Sequence, residues 1–424
     1  MSRTTDAMQP IAAGTPMADA DPRPRPRHCM VVHAYYPLTE TRVQREAEAL
    51  VAAGYEVDVI CPRGEAEAPR ERYRGVKVHR LPVRIEKSDL GRQFLSYLHF
   101  CLRAGGYLSR LQRSRPYDTV QVHNLPDFLV FCAIVPKLQN VPVILDLHDL
   151  MPEFFAARFM RSRPVLLRLV RWQERLACRF ADHVITVTEH WRQVLIERKV
   201  PADRCSVVMN VADENIFVPR TETSPARGGF HLLYHGSVTR RYGLDLAIRA
   251  IALVKDEVPG IRLTIRGAGQ DRPALLELRR ELGLEGHIDL IEEHVPESDL
   301  PAIIAQADAA VVPYRDDVFT DGILPTKLME YAAVGIPCIA ARTTAIESYF
   351  RDANVEFFTP GDVGDLARAI RLLSSDPAYR AALGARSRRF TERYSWTRLG
   401  PEYVALIRRL AAERARFANG SPRR

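Results

Sequence analysis

Short apolar runs recur along the chain, and stretches with amphipathic helical spacing separate several of them. In the first half, we predict strands over residues 29–36, 56–62, 76–83, 119–124, 142–149, 183–189 and 206–211. Strands that are apolar on both faces, with helices between them, are typical of a parallel sheet covered on both sides. The pattern therefore predicts a doubly wound α/β domain over residues 28–212.

The same alternation restarts after a polar segment with prolines and glycines, residues 213–229, which we interpret as a linker. Further strands are predicted over residues 231–238, 261–269, 287–295, 309–314, 336–341 and 355–360. Residues 363–390 have helical character and complete a second domain, 230–390, and a final helix falls within residues 391–417. Two such domains in tandem place a ligand cleft where the carboxyl ends of their strands face each other.

Length and composition agree with this division, because 424 residues are long for one domain and a hydrophobic content of 46% suits a soluble protein. The net charge of +8 favours anionic partners such as phosphate ligands or an acidic membrane surface. The seven cysteines are scattered and odd in number. We expect reduced core thiols in a cytoplasmic protein, without disulfides or a metal site.

The first 27 residues fit neither a signal peptide nor a transmembrane start. Residues 1–27 are rich in proline and arginine and contain no apolar run, so we expect a disordered tail, and we expect the same of residues 418–424. The longest apolar run elsewhere, Phe128 to Val135, is too short to cross a bilayer. No integral membrane segment is predicted.

The stretch FTDGILPTKLMEYAAVGIPCIA, from Phe319 to Ala340, combines an acidic turn, a helix and a buried strand. The helix is predicted from Pro325 to Ala333, with Gly335 just past its end. Its free N–H groups and positive dipole would suit a phosphate, and Glu330 would accept hydrogen bonds from ribose hydroxyls. The alternative is a capped surface helix with a solvated glutamate.

Two further loops of the second domain have the composition of phosphate-binding turns. Arg240 and Arg241 precede a predicted helix, where two guanidinium groups can neutralise a diphosphate. Gly267 and Gly269 permit close backbone approach to a ligand. The alternatives are ordinary surface arginines and a tight strand-to-helix turn. Arg272 stands where a dinucleotide fingerprint needs a third glycine, so a dehydrogenase is the least favoured class.

Polar side chains cluster where two neighbouring strands of the first domain end. They are His123, Asn124 and Asp127 after one strand, and Asp146, His148, Asp149 and Glu153 after the next. His148 would face the cleft, where its ring can hydrogen-bond a sugar hydroxyl or a developing charge. A satisfied buried histidine is the alternative.

Residues 84–115 and 158–180 are basic and amphipathic. In the second segment we place Arg168, Arg171, Arg175 and Arg179 on one face, and Leu166, Leu169, Val170, Leu176 and Phe180 on the other. Such helices can lie on an anionic membrane. A core-facing helix with a solvated basic face is the alternative.

Several motifs, in order, resemble glycosyltransferase family four, the retaining enzymes of the two-domain GT-B type. They are RVQREAEALVAAGYEVDVI, HNLPDF followed by ILDLHD, HGSVTRRYGLDLAI, RGAGQ followed by ADAAVVPY, KLMEYAAVGIPCIA and a late YSW. The resemblance implies two Rossmann-like domains that face each other across a cleft, with a C-terminal helix crossing back to the first domain.

The resemblance also implies how the cleft is used: the first domain binds an acceptor, and the second binds a UDP- or GDP-linked sugar without a metal. Glu330 would hold the ribose and Arg240 or Arg241 the diphosphate, while Lys327 adds a phosphate or sugar contact and His148 touches the transferred sugar. The other donor-side candidates are Gly236, Ser237, Gly267, Gly269, Val295, Asp321, Gly322, Ile323 and Leu324. The acceptor-side candidates are Arg42, His123, Asn124 and Asp146.

The sequence departs from the family at two places. Gly322 stands eight positions before Glu330, where members of the family usually carry a second glutamate. The first-domain loop that is normally glycine-rich is PLTETR, from Pro37 to Arg42, and Arg42 is a possible substitute contact there. The only aspartates spaced one residue apart, Asp19 and Asp21, lie in the predicted tail, which does not support a metal site of that kind.

We therefore expect a cytoplasmic transferase, peripheral on the inner face of the plasma membrane. It would move a sugar to a lipid-linked or polysaccharide acceptor in cell-envelope polysaccharide biosynthesis. Neither nucleic acid nor an obligate protein partner is expected. A non-catalytic nucleotide-sugar-binding protein and a sugar-nucleotide epimerase of the same fold are the alternatives.

Overall fold

A computed structural model describes residues 25–37, 40–86, 89–159, 164–219, 228–293 and 295–418. Most of the predicted N-terminal tail (1–24), with Asp19 and Asp21, lies outside the described residues. So do the end of the C-terminal tail (419–424), linker residues 220–227, and residues 38–39 of the PLTETR loop.

The first domain contains an eight-stranded sheet in the order β3-β4-β2-β1-β5-β6-β7-β8. Its strands are β1 (Arg27–Val31), β2 (Glu56–Pro62), β3 (Arg70–Tyr73), β4 (Val76–Leu81), β5 (Thr119–His123), β6 (Val143–Leu147), β7 (His183–Thr186) and β8 (Cys205–Val207). All neighbours are parallel except β3 and β4. The sequence did not predict β3, because RERY is an exposed polar edge strand without an apolar run.

The α-helices among the described residues of this domain are α1 (Thr41–Ala52), α2 (Leu90–Ser114), α3 (Ile134–Leu138), α4 (Met151–Phe159), α5 (Pro164–Phe180) and α6 (Glu189–Glu197). Helix α1 buries Val43, Ala47 and Leu50, which share one face at helical spacing. Separate apolar clusters on the two faces of the sheet show that helices cover both sides.

The second domain contains a parallel six-stranded sheet in the order β11-β10-β9-β12-β13-β14. Its strands are β9 (His231–His235), β10 (Arg262–Arg266), β11 (Ile288–Ile291), β12 (Ala309–Val312), β13 (Cys338–Ala341) and β14 (Val355–Phe358). Its helices are α7 (Leu244–Val254), α8 (Arg272–Glu281), α9 (Leu300–Ile304), α10 (Thr326–Val334), α11 (Thr344–Phe350), α12 (Val363–Ser375), α13 (Pro377–Ala385) and α14 (Ser387–Arg393).

The helical stretch predicted over residues 363–390 is divided into α12, α13 and α14. Asp376 accepts a hydrogen bond from the backbone N–H of Tyr379, and Pro377 occupies the first turn of α13. An aspartate cap followed by proline begins a new helix, because proline cannot donate the hydrogen bond that would continue the previous one.

The last helix, α15 (Trp396–Ala418), returns to the first domain. It packs beside α1, and Tyr403, Ile407 and Leu410 join an apolar cluster of first-domain residues. The buried Tyr403 hydroxyl donates a hydrogen bond of 2.7 Å to Gln121 on β5. The predicted architecture is confirmed: two Rossmann-like domains and a C-terminal helix that crosses back.

Helix α5 differs from the prediction in which residues it buries. Val170, Glu174 and Ala177 face the core, whereas Leu169 and Leu176 are exposed. Glu174 is retained inside because Arg198 donates to its carboxylate at 2.9 Å. The helix therefore exposes a row of apolar side chains to solvent beside its arginines.

No helix among the described residues is long and apolar enough to span a membrane. All seven cysteines are buried and free.

Candidate active site

A cavity of about 450 Å³ opens between the two domains, at the carboxyl ends of both sheets. The residues of the first domain that line it come from loops, strand ends and the helices α1 and α6: Glu40, Thr41, Arg42, His148, Asp149, Val187, Trp191, Met209 and Asn210. From the second it is lined by His235, Gly236, Ser237, Tyr242, Tyr314, Phe319, Ile323, Leu324, Pro325, Thr326, Lys327, Met329 and Glu330.

Helix α10 begins at this cavity. Pro325 is its N-cap and supplies no side-chain hydrogen bond, so the first backbone N–H groups have no capping side chain. Gly335 ends the helix in the left-handed conformation, with φ of 83°, as the sequence predicted. An uncapped helix start that faces a cavity carries partial positive charge and suits an anion.

Lys327 lies in the first turn of α10, inside a cage of tyrosine rings. Its ammonium nitrogen is 4.9 Å from the ring centre of Tyr234, 5.0 Å from that of Tyr242 and 5.4 Å from that of Tyr314. It also donates to the Tyr314 hydroxyl at 3.1 Å. The rings hold the charge in place without neutralising it, because they offer no carboxylate. Lys327 is thus a fixed cation on the cavity wall.

Gly236 gives Lys327 the room it needs. The glycine has φ of 117°, and a Cβ built on it would lie 2.9 Å from the Lys327 Cε atom. A side chain at this position would therefore displace the lysine. Ser237 follows on the same loop, where its carbonyl oxygen accepts a hydrogen bond of 2.7 Å from the Tyr234 hydroxyl.

Glu330 lies one turn further along α10 and is almost buried, with 9% of the residue exposed. Its carboxylate is 2.6 Å from Nε2 of His235, at the end of β9. The backbone N–H of His235 in turn donates to the Tyr331 hydroxyl at 3.1 Å. The pairing fixes Glu330 at the cavity surface, so it is not the solvated surface glutamate of the alternative interpretation.

The structure separates the two arginines of the HGSVTRR loop. Arg240 is exposed and lies outside the cavity lining, and its backbone N–H donates to Asp271. The guanidinium of Arg241 lies between two rings, 5.3 Å from the centre of Phe154 and 5.0 Å from that of Phe319. Arg241 is not among the residues that line the cavity either. It contacts Phe319, which is, and Phe154 of the first domain, so Arg241 lies at the edge of the cavity between the domains.

The glycines of RGAGQ pack against backbone and not against the cavity. A Cβ on Gly267 would lie 1.9 Å from the Gly236 carbonyl oxygen, and one on Gly269 would lie 2.0 Å from that of Val238. Their predicted close approach is therefore to the neighbouring HGSV loop, which they position. Val295 is half-buried and also lies outside the cavity lining.

Two residues of the acidic turn, which we predicted on the donor side of the cleft, make contacts within the protein. The Asp321 carboxylate accepts a hydrogen bond of 2.7 Å from the backbone N–H of Thr344, at the start of α11. Gly322 contacts Trp191 of the first domain, and a Cβ on it would lie 2.2 Å from the indole ring. Neither lines the cavity, whereas their neighbours Ile323 and Leu324 do.

His148 meets a buried polar cluster at the ends of β5 and β6. Its Nε2 is 3.1 Å from Nδ1 of His123, which lies 3.2 Å from the Asp146 carboxylate. Burial lowers the pKa of His148 to about 3, despite the opposing effect of Asp146. The ring is consequently neutral near pH 7, so it offers the cavity one donor or one acceptor and no charge.

Arg42 and Asn124, which we predicted on the acceptor side, hold the site together internally. Arg42 donates to both oxygens of Asp146, at 3.0 and 3.2 Å, and to the Val208 carbonyl at 2.6 Å. Burial by itself raises the pKa of Asp146, but Arg42 together with His123 and His148 outweighs it and holds that pKa well below the usual range. Asn124 donates to Asp127 and accepts from the backbone N–H of His148. Arg42 is therefore not a free phosphate contact.

The cavity also contains carboxyl groups that the predicted site did not include. Burial raises the pKa of Glu40 to about 7 and that of Asp149 to about 6, with Arg42 and Arg241 respectively opposing the change. Glu40 lies 3.7 Å from Nδ1 of His148. Trp191 and Tyr242 also escaped prediction. Only Asp149 had a local signal, because it follows a buried strand.

His123, Asp146 and His148 are the described residues close enough to hold a metal ion together, with ligand atoms within 4.8 Å of one another. Arg42 already supplies a positive charge to both oxygens of Asp146. A cation at this cluster would meet that guanidinium at close range, which is unfavourable in a buried site.

Comparison with known proteins shows the family to which both domains belong. Residues 39–210 match the family described as "Glycosyl transferase 4-like domain", and residues 220–390 match "Glycosyl transferases group 1". Glycogen synthase of Mycobacterium tuberculosis is 27% identical over 372 residues, which cover 84% of this chain and 86% of that protein.

Solved structures share the fold. Sucrose-phosphate synthase from Thermosynechococcus elongatus superposes with a TM-score of 0.74 at 18% identity, covering 92% of this chain and all of that one. HepE from Anabaena, in complex with UDP-glucose, superposes with a TM-score of 0.64 at 16% identity, covering 90% and 99% of the two chains.

The fold is therefore the GT-B fold, with the candidate active site between its two domains. The chain belongs to the group 1 glycosyltransferase family. It is a nucleotide-sugar-dependent glycosyltransferase.

Proposed function

We propose that the protein transfers a sugar from a UDP- or GDP-linked donor, with retention and without a metal, to a cell-envelope acceptor. The observation that carries the proposal is the wall formed by α10, where an uncapped helix start, Lys327 and Glu330 face one cavity. A diphosphate and a ribose require these features side by side: a cation, free N–H groups and a hydrogen-bond acceptor. HepE, the similar protein solved with UDP-glucose, supports the choice of donor class.

In this proposal the second domain binds the donor. Lys327, Arg241 and the N–H groups of α10 neutralise the diphosphate, and Glu330 accepts hydrogen bonds from the ribose. Breaking the bond between the sugar and the diphosphate leaves additional negative charge on the nucleoside diphosphate. Fixed positive groups around that charge lower the barrier, so a metal is not required. The contact between Arg42 and Asp146 further supports a reaction without a metal, because the guanidinium already supplies a positive charge to that carboxylate.

On the acceptor side, His148 contacts the transferred sugar as a neutral ring. The acceptor hydroxyl attacks from the face that the diphosphate leaves, and the departing phosphate oxygen takes the hydroxyl proton. The sugar carbon thus exchanges a phosphate oxygen for the acceptor oxygen with its configuration retained. No protein nucleophile enters this scheme.

We place the reaction at the cytoplasmic face of the membrane, with a lipid-linked or polysaccharide acceptor. The support comes from the first domain, where the exposed faces of α2 and α5 carry arginines and apolar side chains together. Proteins that work at anionic lipid surfaces carry this combination.

A donor screen tests the proposal. The full chain is incubated with UDP- and GDP-sugars, a cell-envelope lipid extract and EDTA, and nucleotide release is measured. Release that depends on the acceptor and survives EDTA supports the proposal, and NMR of the product then gives its anomeric configuration. Isomerisation of the donor without acceptor would indicate an epimerase. Nucleotide binding without turnover would indicate a binding protein.

A further inference from the structure

The first domain contains an apolar groove between α2, α4 and α5, separate from the cavity described above. It encloses about 720 Å³, which falls in the range of about 300–1,000 Å³ typical of ligand sites. Its walls include Phe94, Phe128, Met151, Phe155, Leu169 and Trp172. Among the described residues that line it, none is charged.

The groove is open to solvent. The exposed fractions of Phe94, Leu169 and Trp172 are 53%, 54% and 58%. Val165 and Leu176 extend the apolar row along α5, at the helical spacing of Leu169 and Trp172. Contiguous exposed apolar surface of this kind marks a binding site more often than an isolated exposed leucine does.

Two of the three helices around the groove, α2 and α5, are strongly basic. Helix α2 contains four arginines and no acidic residue, and α5 contains four arginines and one acid, Glu174. Glu174 is buried, and its charge is offset mainly by Arg198 and less by the exposed arginine Arg171. The occupant suited to these walls is a hydrocarbon chain that carries an anionic group.

The groove adjoins the candidate active site. Leu125 follows Asn124 at the end of β5, and Met151 follows the cavity residue Asp149 after β6. Phe154 forms part of the groove wall, and its ring lies 5.3 Å from that of Phe319 in the cavity lining. Arg241 contacts both rings. A chain in the groove would therefore direct its head group towards the cleft.

We infer that the groove binds the hydrocarbon chain of a lipid-linked phosphate, whose attached sugar carries the acceptor hydroxyl. The inference rests on the proposed function, and it chooses between the two acceptor classes named there. A polysaccharide needs hydrogen-bonding groups along its binding surface, whereas this groove presents mainly carbon atoms. Burial of a chain here releases water from apolar surface, and the surrounding arginines attract the phosphate.

Binding of farnesyl phosphate to the full chain tests the inference, with intrinsic tryptophan fluorescence as the readout, since Trp172 lies in the groove. The probe is used below the concentration at which it forms micelles. Leu169→Asp places a charge in the groove and should weaken binding at least about tenfold. Leu138→Asp is the matched control, because Leu138 is an exposed leucine of α3 outside the groove. Phe94→Asp tests the opposite wall if Leu169→Asp fails to fold.

UDP and GDP binding is measured on the same samples and should not change. Equal farnesyl phosphate binding by the parent, Leu169→Asp and Phe94→Asp would overturn the inference. The inference would also be overturned if the variants lost binding to phosphatidylglycerol vesicles but still bound farnesyl phosphate. The groove would then be a surface that contacts the bilayer. If nucleotide is released but no lipid binds, the assignment of the groove is wrong and the proposed function still stands. Lipid binding with no nucleotide release from any donor would instead contradict the proposed function.

Discussion

Gly322 of the second domain lies directly against Trp191 of the first domain. A Cβ on Gly322 would approach the Cη2 atom of Trp191 to 2.2 Å, and Trp191 is only 1% exposed. The family usually carries a glutamate at the position of Gly322. In this chain an indole ring from the opposite domain occupies that space, so glycine is a requirement of the contact between the domains.

Gly322→Ala should therefore destabilise the protein, because a rigid ring must move to admit a methyl group. We expect a loss of about 1–3 kcal/mol, the usual cost of overpacking. Thermal unfolding of Gly322→Ala, Trp191→Ala and the double variant measures it. If the contact is as described, adding Gly322→Ala to Trp191→Ala costs almost nothing, because the ring is already absent. An equal loss in both backgrounds would refute this explanation.

Lys327→Met should weaken binding of the diphosphate while leaving the nucleoside unaffected. The variant keeps the length of the side chain inside the tyrosine cage but removes its charge. We expect a loss of about tenfold to a hundredfold in the affinity for UDP or GDP, as for other charge-assisted contacts, and unchanged affinity for uridine or guanosine. Lys255→Met, in the same domain but outside the cavity lining, is the control. An equal loss of affinity for the nucleoside and the nucleotide would show that Lys327 does not contact the diphosphate.

Donor affinity should fall as pH rises from 6 to 8. The raised pKa values of Glu40, about 7, and Asp149, about 6, mean that both carboxyls lose protons in this interval. The cavity then gains negative charge, which repels a diphosphate. UDP-glucose or GDP-mannose is the suitable probe, because neither titrates in this range. Glu40→Gln should flatten the dependence, whereas His148, whose pKa is about 3, stays neutral throughout and contributes none. Affinity that is constant in the parent would contradict these assignments.

Vesicle binding should depend on the arginines of α5. We expect the parent to sediment with phosphatidylglycerol vesicles, less so as salt rises, and not with phosphatidylcholine vesicles. Replacing Arg168, Arg171 and Arg175 by glutamine should cost about 1 kcal/mol for each arginine. Arg249→Gln removes an exposed arginine of the second domain and should change nothing. Binding that is indifferent to lipid charge and salt would exclude this surface.

Much of the fold could be predicted from the sequence, because parallel strands buried on both faces form continuous apolar runs. Strand β3 could not be, since three of its four residues are exposed and the strand is held by pairing with β4, with only Tyr73 packed against the core. The division of residues 363–390 was readable in principle from Asp376 and Pro377. Helix α10 was predicted closely because proline and glycine mark its ends.

The candidate site was less predictable, because its geometry depends on residues far apart in the chain. Arg42 has the sequence context of a free loop cation, yet Asp146, 104 residues later, occupies its donors. Trp191 carries no local signal and reaches the cleft only because the domains face each other. Gly267 and Gly269 were expected to approach a ligand. In the structure they pack against another loop of the second domain, a contact that the sequence does not indicate.

The most direct test of the central claim is calorimetric titration of UDP and GDP into the parent, Glu330→Ala and Arg241→Ala. Arg240→Ala serves as the matched control, since that neighbouring arginine is exposed, whereas Arg241 lies between Phe154 and Phe319. We predict that the parent and Arg240→Ala bind one of the nucleotides equally, and that the other two variants bind it at least about tenfold more weakly, the loss of one charged or hydrogen-bonded contact. If Glu330→Ala and Arg241→Ala both bind like the parent, the nucleotide sugar does not occupy this cavity.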